Sequence, residues 1–158
     1  MTLPEIRAQA IAPALALLPA RMASPQAEVM LLAIGLQESR FTHRRQVRGP
    51  ARGFWQFEQG GGVVGVLRHP ASREHALRVC DARGVQPVAE QIYQHLEHDD
   101  VLAAAFARLL LWTDPARLPA VGEVARAWDL YIRTWRPGKP HRHTWDGLYA
   151  RAMDEVRP

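Results

Sequence analysis

The sequence predicts an all-α fold in which helices wrap one buried central helix. Three observations lead to it. No run keeps period-two alternation beyond a few residues, so no half-buried strand is indicated. The stretch from Val29 to Leu36 holds no polar side chain over eight residues, and a helix apolar all round is an interior one. Elsewhere, apolar residues recur at helical spacing between breaks at Gly84, Pro87, Asp99-Asp100, Asp114-Pro115 and Pro137-Gly138-Lys139-Pro140.

The first helix is expected over Pro4 to Leu18. Within it, Ala10 to Ala20 is apolar, but Pro13 and Pro19 interrupt the run, Arg7 is its only preceding basic residue, and it is too short to span a bilayer. An amphipathic core helix is preferred over a signal peptide. Ser24-Pro25 starts the central helix, with Ser24 as cap, Pro25 at the first helical position and Glu28 in the first turn. Glu38 continues the stripe of Leu31, Ile34 and Gly35 and so sits at the rim of the core, with Gly35 one turn behind it leaving room for a close approach. Thr42 to Arg52 is a loop with four arginines. A short helix follows the triple glycine over Val63 to Arg68. Further helices are expected over Ser72 to Ala82, Val88 to Glu97, Asp100 to Trp112, Val121 to Trp135 and Thr144 to Val156. No repeat or linker divides residues 1–158, so one domain is expected, of a size that buries a core without staples. No segment approaches transmembrane length.

Composition narrows the chemistry. Hydrophobic residues at 47% exclude a disordered chain. Cys80 is the single cysteine, so neither an intramolecular disulfide nor a thiolate metal cluster can form, and a reducing compartment is suggested. A formal charge of +4 and a pI near 10.0 favour polyanions: nucleic acid, anionic lipid or the acidic polymers of a bacterial envelope. The basic residues are dispersed along the chain, which argues against a nucleic-acid partner.

Glu38 and the string Gln56-Phe57-Glu58-Gln59-Gly60-Gly61-Gly62 form the strongest constellation. A carboxyl at the mouth of an apolar helix, facing a glycine-flanked aromatic and amide turn, suits a sugar-cleaving cleft. The general acid there must keep its proton near neutral pH, and apolar surroundings raise its pKa. The plainer alternative is a helix-end glutamate facing water.

Glu38-Ser39-Arg40-Phe41 followed by Gly53-Phe54-Trp55-Gln56 resembles the lysozyme-like soluble lytic transglycosylases, whose motifs are a helix-terminal Glu-Ser and a Gly-Leu-Met-Gln. The Gly-Phe-Trp-Gln-Phe-Glu-x-Gly-Gly form is more similar to variants carried by phages and prophages. The resemblance covers residues 25 to 70 well and the rest weakly. It implies a lysozyme-like helical domain that cleaves the β-1,4 bond between N-acetylmuramic acid and N-acetylglucosamine without a cofactor. It also implies Glu38 as acid/base, Ser39 as support for it or for the sugar, and Gln56 as groove lining. The implied partner is the glycan strand of peptidoglycan, met by a monomer. Such a protein would be made in the bacterial cytoplasm without a signal peptide, and would reach the wall after holin-type release or delivery by a virion. The family's third motif, Ala-Tyr-Asn-x-Gly, is absent; the nearest match is Ala127-Trp128-Asp129-Leu130-Tyr131. Tyr131 either reaches Glu38 with its hydroxyl or is a core aromatic in a stripe with Val124 and Ala127.

Glu58 decides the mechanism. Facing Glu38 across a cleft, it would hold a water for inverting hydrolysis. Pointing away, it leaves Glu38 alone, as suits a transglycosylase in which the 6-hydroxyl of the muramic acid closes an anhydro ring. The single-acid reading is preferred. Of five tryptophans, only Trp55 has a context favouring the cleft; Trp128 and Trp135 share a core stripe. His141-Arg142-His143 and His95 with His98 lack a proper metal-ligand set, so no metal site is expected. Gly60 to Gly62 lacks the Lys-Ser/Thr of a phosphate loop and is expected to free the backbone beside a substrate. Arg133 to His143 reads as a solvated basic loop, with contact to an anionic polymer as the alternative. The competing reading in another class is a phage structural or assembly protein that keeps the fold and binds glycan or DNA without catalysis.

Overall fold

The computed structural model describes residues 1–157, and the fold is all-α. Among the described residues, β-type pairing is confined to two isolated antiparallel bridges, Arg45–Arg52 and Arg52–Phe57. They shape the loop between the central helix and the triple glycine.

The first predicted helix is present but not uniform. Helix α1 (Leu3–Ile6) opens on a reciprocal cap: the Glu5 amide donates to Thr2 Oγ1 at 3.3 Å and the Thr2 amide donates to Glu5 Oε2 at 2.8 Å. The chain then widens through Arg7–Ile11 before α2 (Ala12–Ala16). Pro13 accounts for the widening, since it has no N–H for the carbonyl one turn back and its ring crowds that carbonyl.

Helix α3 (Pro25–Ser39) is the central one. Ser24 caps it, its hydroxyl accepting from the Ala27 amide at 3.1 Å. Every residue from Val29 to Leu36 is buried, with none more than 1% exposed where its exposure is given. Such a helix has no polar face to turn outward, so neighbours surround it: α9 (Arg142–Val156) most extensively, with α7 (Asp100–Trp112) and the N-terminal run. The short helix α4 (Val64–Arg68) follows the glycines. Helices α5 (Arg73–Arg83) and α6 (Ala89–Leu96) pack on α7, and α8 (Val124–Trp135) joins α7 to α9. Helix α8 starts three residues later than expected, because Gly122 takes a φ of +101° and turns the chain before it. No helix among the described residues is long and apolar enough to cross a membrane.

Candidate active site

The site is built at the C-terminal end of α3. Ser39 ends the helix with Arg40 and Phe41 both left-handed, at φ +56° and +53°. This reversal folds the Phe41 ring back onto Gly35. A Cβ at residue 35 would lie 2.1 Å from the tip of that ring, so only glycine fits. The room expected beside Gly35 is therefore filled by the chain's own Phe41. That ring meets Phe54 and Trp55 edge-on, with centroids 5.6 and 5.5 Å away.

Two expectations for the substrate-binding set are corrected. Ser39 is only 3% exposed, and its hydroxyl is used within the protein. It donates to Phe54 O at 2.7 Å and Gly35 O at 3.2 Å, and accepts from the Phe41 amide at 3.1 Å. It therefore ties the helix end to the following loop and cannot meet a sugar. Trp55 is 1% exposed and donates from Nε1 to Leu31 O at 2.8 Å, which makes it a core residue. Its indole is drawn inward because the Phe41 reversal creates an aromatic nest beneath the loop.

The loop itself is held by its arginines. Arg44 pairs with Asp100, its Nη2 lying 3.0 Å from Oδ2, and lies over the Phe54 ring at 4.2 Å. Arg45 pairs with Glu97, and Arg52 donates to Gly49 O and Ala51 O, both at 2.9 Å. Arg52 and Phe57 exchange two backbone bonds of 2.9 Å. Gly53, at φ +75°, is forced to be glycine because a Cβ there would lie 2.5 Å from Leu96 O.

This framework presents Gln56 and Glu58 to a cleft of about 540 Å³ whose floor holds Glu38 and Tyr131. Gln56 is itself left-handed, at φ +52°, and its amide donates to Gly53 O at 2.8 Å. Glu58 is exposed on the rim and also borders the neighbouring cavity along Gly60 to Gly62. The glycines form a wide turn in which the Val63 amide reaches Glu58 O at 3.3 Å, and a Cβ at Gly60 would meet nothing within 4 Å.

Glu38 and Tyr131 are joined directly. The Tyr131 hydroxyl, from α8, donates to Glu38 Oε1 at 2.6 Å. Tyr131 is also a core aromatic, 3% exposed and stacked parallel to Trp145 at 5.2 Å. Both of its expected roles therefore hold together. Burial pushes the Glu38 carboxyl up to about 7, and the Tyr131 hydrogen bond partly opposes that rise by stabilising the carboxylate. The phenol is raised by its own burial and by the Glu38 charge, so it stays a donor.

Trp135 is a residue that sequence reasoning placed in the core but that lines the cleft. It lies one turn after Tyr131 on the same helix face, a spacing that could have linked the two. Its Nε1 donates to Trp55 O at 2.9 Å and its ring meets Phe57 at 5.9 Å. Beyond it, Arg136, Lys139 and His141 form one wall of the cleft, so the expected solvated loop borders the site. Gln37 fixes that wall: its amide donates to His141 O at 3.0 Å and its oxygen accepts from Thr144 at 2.9 Å.

Chemically, the arrangement keeps a proton on a carboxyl near neutral pH, beside a donor that steadies the carboxylate once the proton leaves. No cluster of three or more His, Cys, Asp or Glu among the described residues could hold a metal ion. The structure brings Glu38, Gln56, Glu58 and Tyr131 to one cleft and excludes Ser39 and Trp55 from it. No family model, curated protein or solved structure matches the chain.

Proposed function

We propose that the protein is a peptidoglycan glycosidase of lysozyme-like fold, acting on the β-1,4 bond between N-acetylmuramic acid and N-acetylglucosamine. The observation that carries this reading is Glu38, whose carboxyl is raised to about 7 by burial at the floor of an open cleft and is hydrogen-bonded by Tyr131 at 2.6 Å. A glycosidic oxygen is a poor leaving group until protonated, and a carboxylic acid with that pKa supplies the proton. As the bond breaks, the new carboxylate faces the positive charge developing on the sugar, and Tyr131 supports it. Trp135 and Gln56 offer an aromatic face and an amide for the sugar rings.

The preferred product route is the lytic transglycosylase one, with Glu38 acting first as acid and then as base towards the 6-hydroxyl of the muramic acid. Glu58 gives a specific reason for a second reading. It lines the same cleft, so an inverting hydrolase with Glu58 activating water is the alternative. Mass spectrometry of muropeptides released from purified cell walls separates the two. Products lighter by one water support the transglycosylase, and hydrated reducing ends support the hydrolase. Glu38→Gln is expected to abolish release while circular dichroism stays unchanged. Undiminished release by that variant, or no release by the unaltered protein, overturns the assignment.

A further inference from the structure

Arg108 stands out among the charged residues outside the cleft. It lies in the middle of α7, where every residue from Leu102 to Leu111 is buried, and is itself only 3% exposed. Its Nε donates to Met22 O at 2.8 Å. No carboxylate pairs with it among the described residues, and burial alone lowers its pKa, to about 10. A buried guanidinium without a counter-charge is strongly disfavoured. Its two terminal nitrogens make no hydrogen bond to the protein, yet no fully buried polar side-chain atom among the described residues lacks a partner. Those nitrogens are therefore not fully enclosed, and Arg108 lines a cavity of about 590 Å³.

The rest of that cavity has matching chemistry. Arg21 and Arg108 place their guanidinium carbons 5.5 and 5.4 Å from the same Trp112 ring. Arg117 adds a third cation, without an ion pair among the described residues, and Ser24 brings in the N-terminus of the fifteen-residue helix α3. The one acid in the lining, Asp114, is engaged elsewhere: it pairs with Arg133 at 3.0 Å and accepts from the Ala116 amide at 3.1 Å. Leu111, Trp112 and Leu118 supply an apolar side. This cavity shares no lining residue with the Glu38 cleft.

We propose that the cavity between Arg21, Arg108, Arg117 and the start of α3 binds the phosphoryl group of an organic phosphate. A guanidinium fork matches phosphate oxygens in pairs, and three cations beside a helix N-terminus suit a dianion better than a monoanion. Trp112 and the two leucines cover the carbon body. The site is independent of the glycan reading and is tested without it.

The probe is phenyl phosphate, titrated into the full chain by calorimetry, with benzoate and sodium chloride at matched ionic strength as controls. Saturable one-site binding of phenyl phosphate is expected, with a rise in Tm that chloride does not reproduce and with benzoate binding more weakly. Arg108→Met is expected to weaken it roughly tenfold or more, the loss of charge-assisted hydrogen bonds. Arg21→Ala, at an exposed residue whose loss leaves the core intact, is expected to weaken it by a similar factor and keeps the test valid if Arg108→Met unfolds. Absence of saturable binding, equal affinity for benzoate, or undiminished affinity in Arg21→Ala overturns the proposal.

Discussion

At Glu38, burial and a hydrogen bond act in opposite directions on one carboxyl. Burial raises its pKa and the Tyr131 hydroxyl lowers it, leaving a value of about 7. Tyr131→Phe removes only the lowering influence. A charge-assisted hydrogen bond is worth about 1.5–3 kcal/mol, so the Glu38 pKa should rise by roughly one to two units. Carboxyl-carbon NMR titration measures it directly; a fall would contradict the geometry. The same group links stability to pH. Its folded pKa lies above the unfolded one of 4.5, so its contribution is fully present below pH 4.5 and is lost as pH rises towards 7. The loss amounts to about 3 kcal/mol at most. Glu38→Gln should therefore match the unaltered protein at pH 4 and exceed its stability by up to about 3 kcal/mol above pH 8. Urea unfolding at the two pH values checks this, and a gap that fails to grow with pH counts against a buried acid. The place of Glu38 at the rim of the core was legible in the sequence because its apolar helix predicts burial. The aim of the Tyr131 hydroxyl was not legible, since the partner lies 93 residues away and only packing brings the two together.

The C-terminal end of α3 shows how an element shapes a cleft from beneath, through side chains that do not line it. Gly35 admits the Phe41 ring, and Ser39 ties the helix to Phe54. Gly35→Ala forces that ring out of an aromatic nest and should cost about 1–3 kcal/mol. Ser39→Ala leaves Phe54 O without its 2.7 Å donor in a buried place and should cost a similar amount, about 1–3 kcal/mol. Chemical denaturation of both variants checks this; neutral values would mean that the reversal is held elsewhere. Most helix positions were readable from caps and punctuation: α7 occupies Asp100–Trp112 as expected, and Ser24 caps α3. The roles of Ser39 and Trp55 were misjudged because a motif specifies side-chain types along the chain and not their facing. Two successive left-handed residues, Arg40 and Phe41, rotate everything that follows, and neither is a residue type that announces such a turn.

Across the whole molecule, α3 spans from the arginine-lined cavity at Ser24 to the acid cleft at Glu38, a distance of roughly 20 Å. Both ends depend on the same buried core. Cys80 offers a reporter of that core: it is fully buried in α5 and its thiol is pushed up to about 11. Thiol reagents should leave the native protein unlabelled, with modification tracking global unfolding as urea is added. Rapid labelling in native buffer would indicate local opening of α5. The amino-acid sequence by itself determined the all-α class, the burial of Val29 to Leu36 and the place of Glu38 at the rim of that core, because these follow from local periodicity and polarity. Only the tertiary structure decided that Trp135 lines the cleft while Trp55 is buried, that Tyr131 meets Glu38, and that Arg108 lines a cavity without pairing with an acid among the described residues. Each of these rests on contacts between residues far apart in the chain, and such pairings depend on how the helices pack rather than on any local pattern.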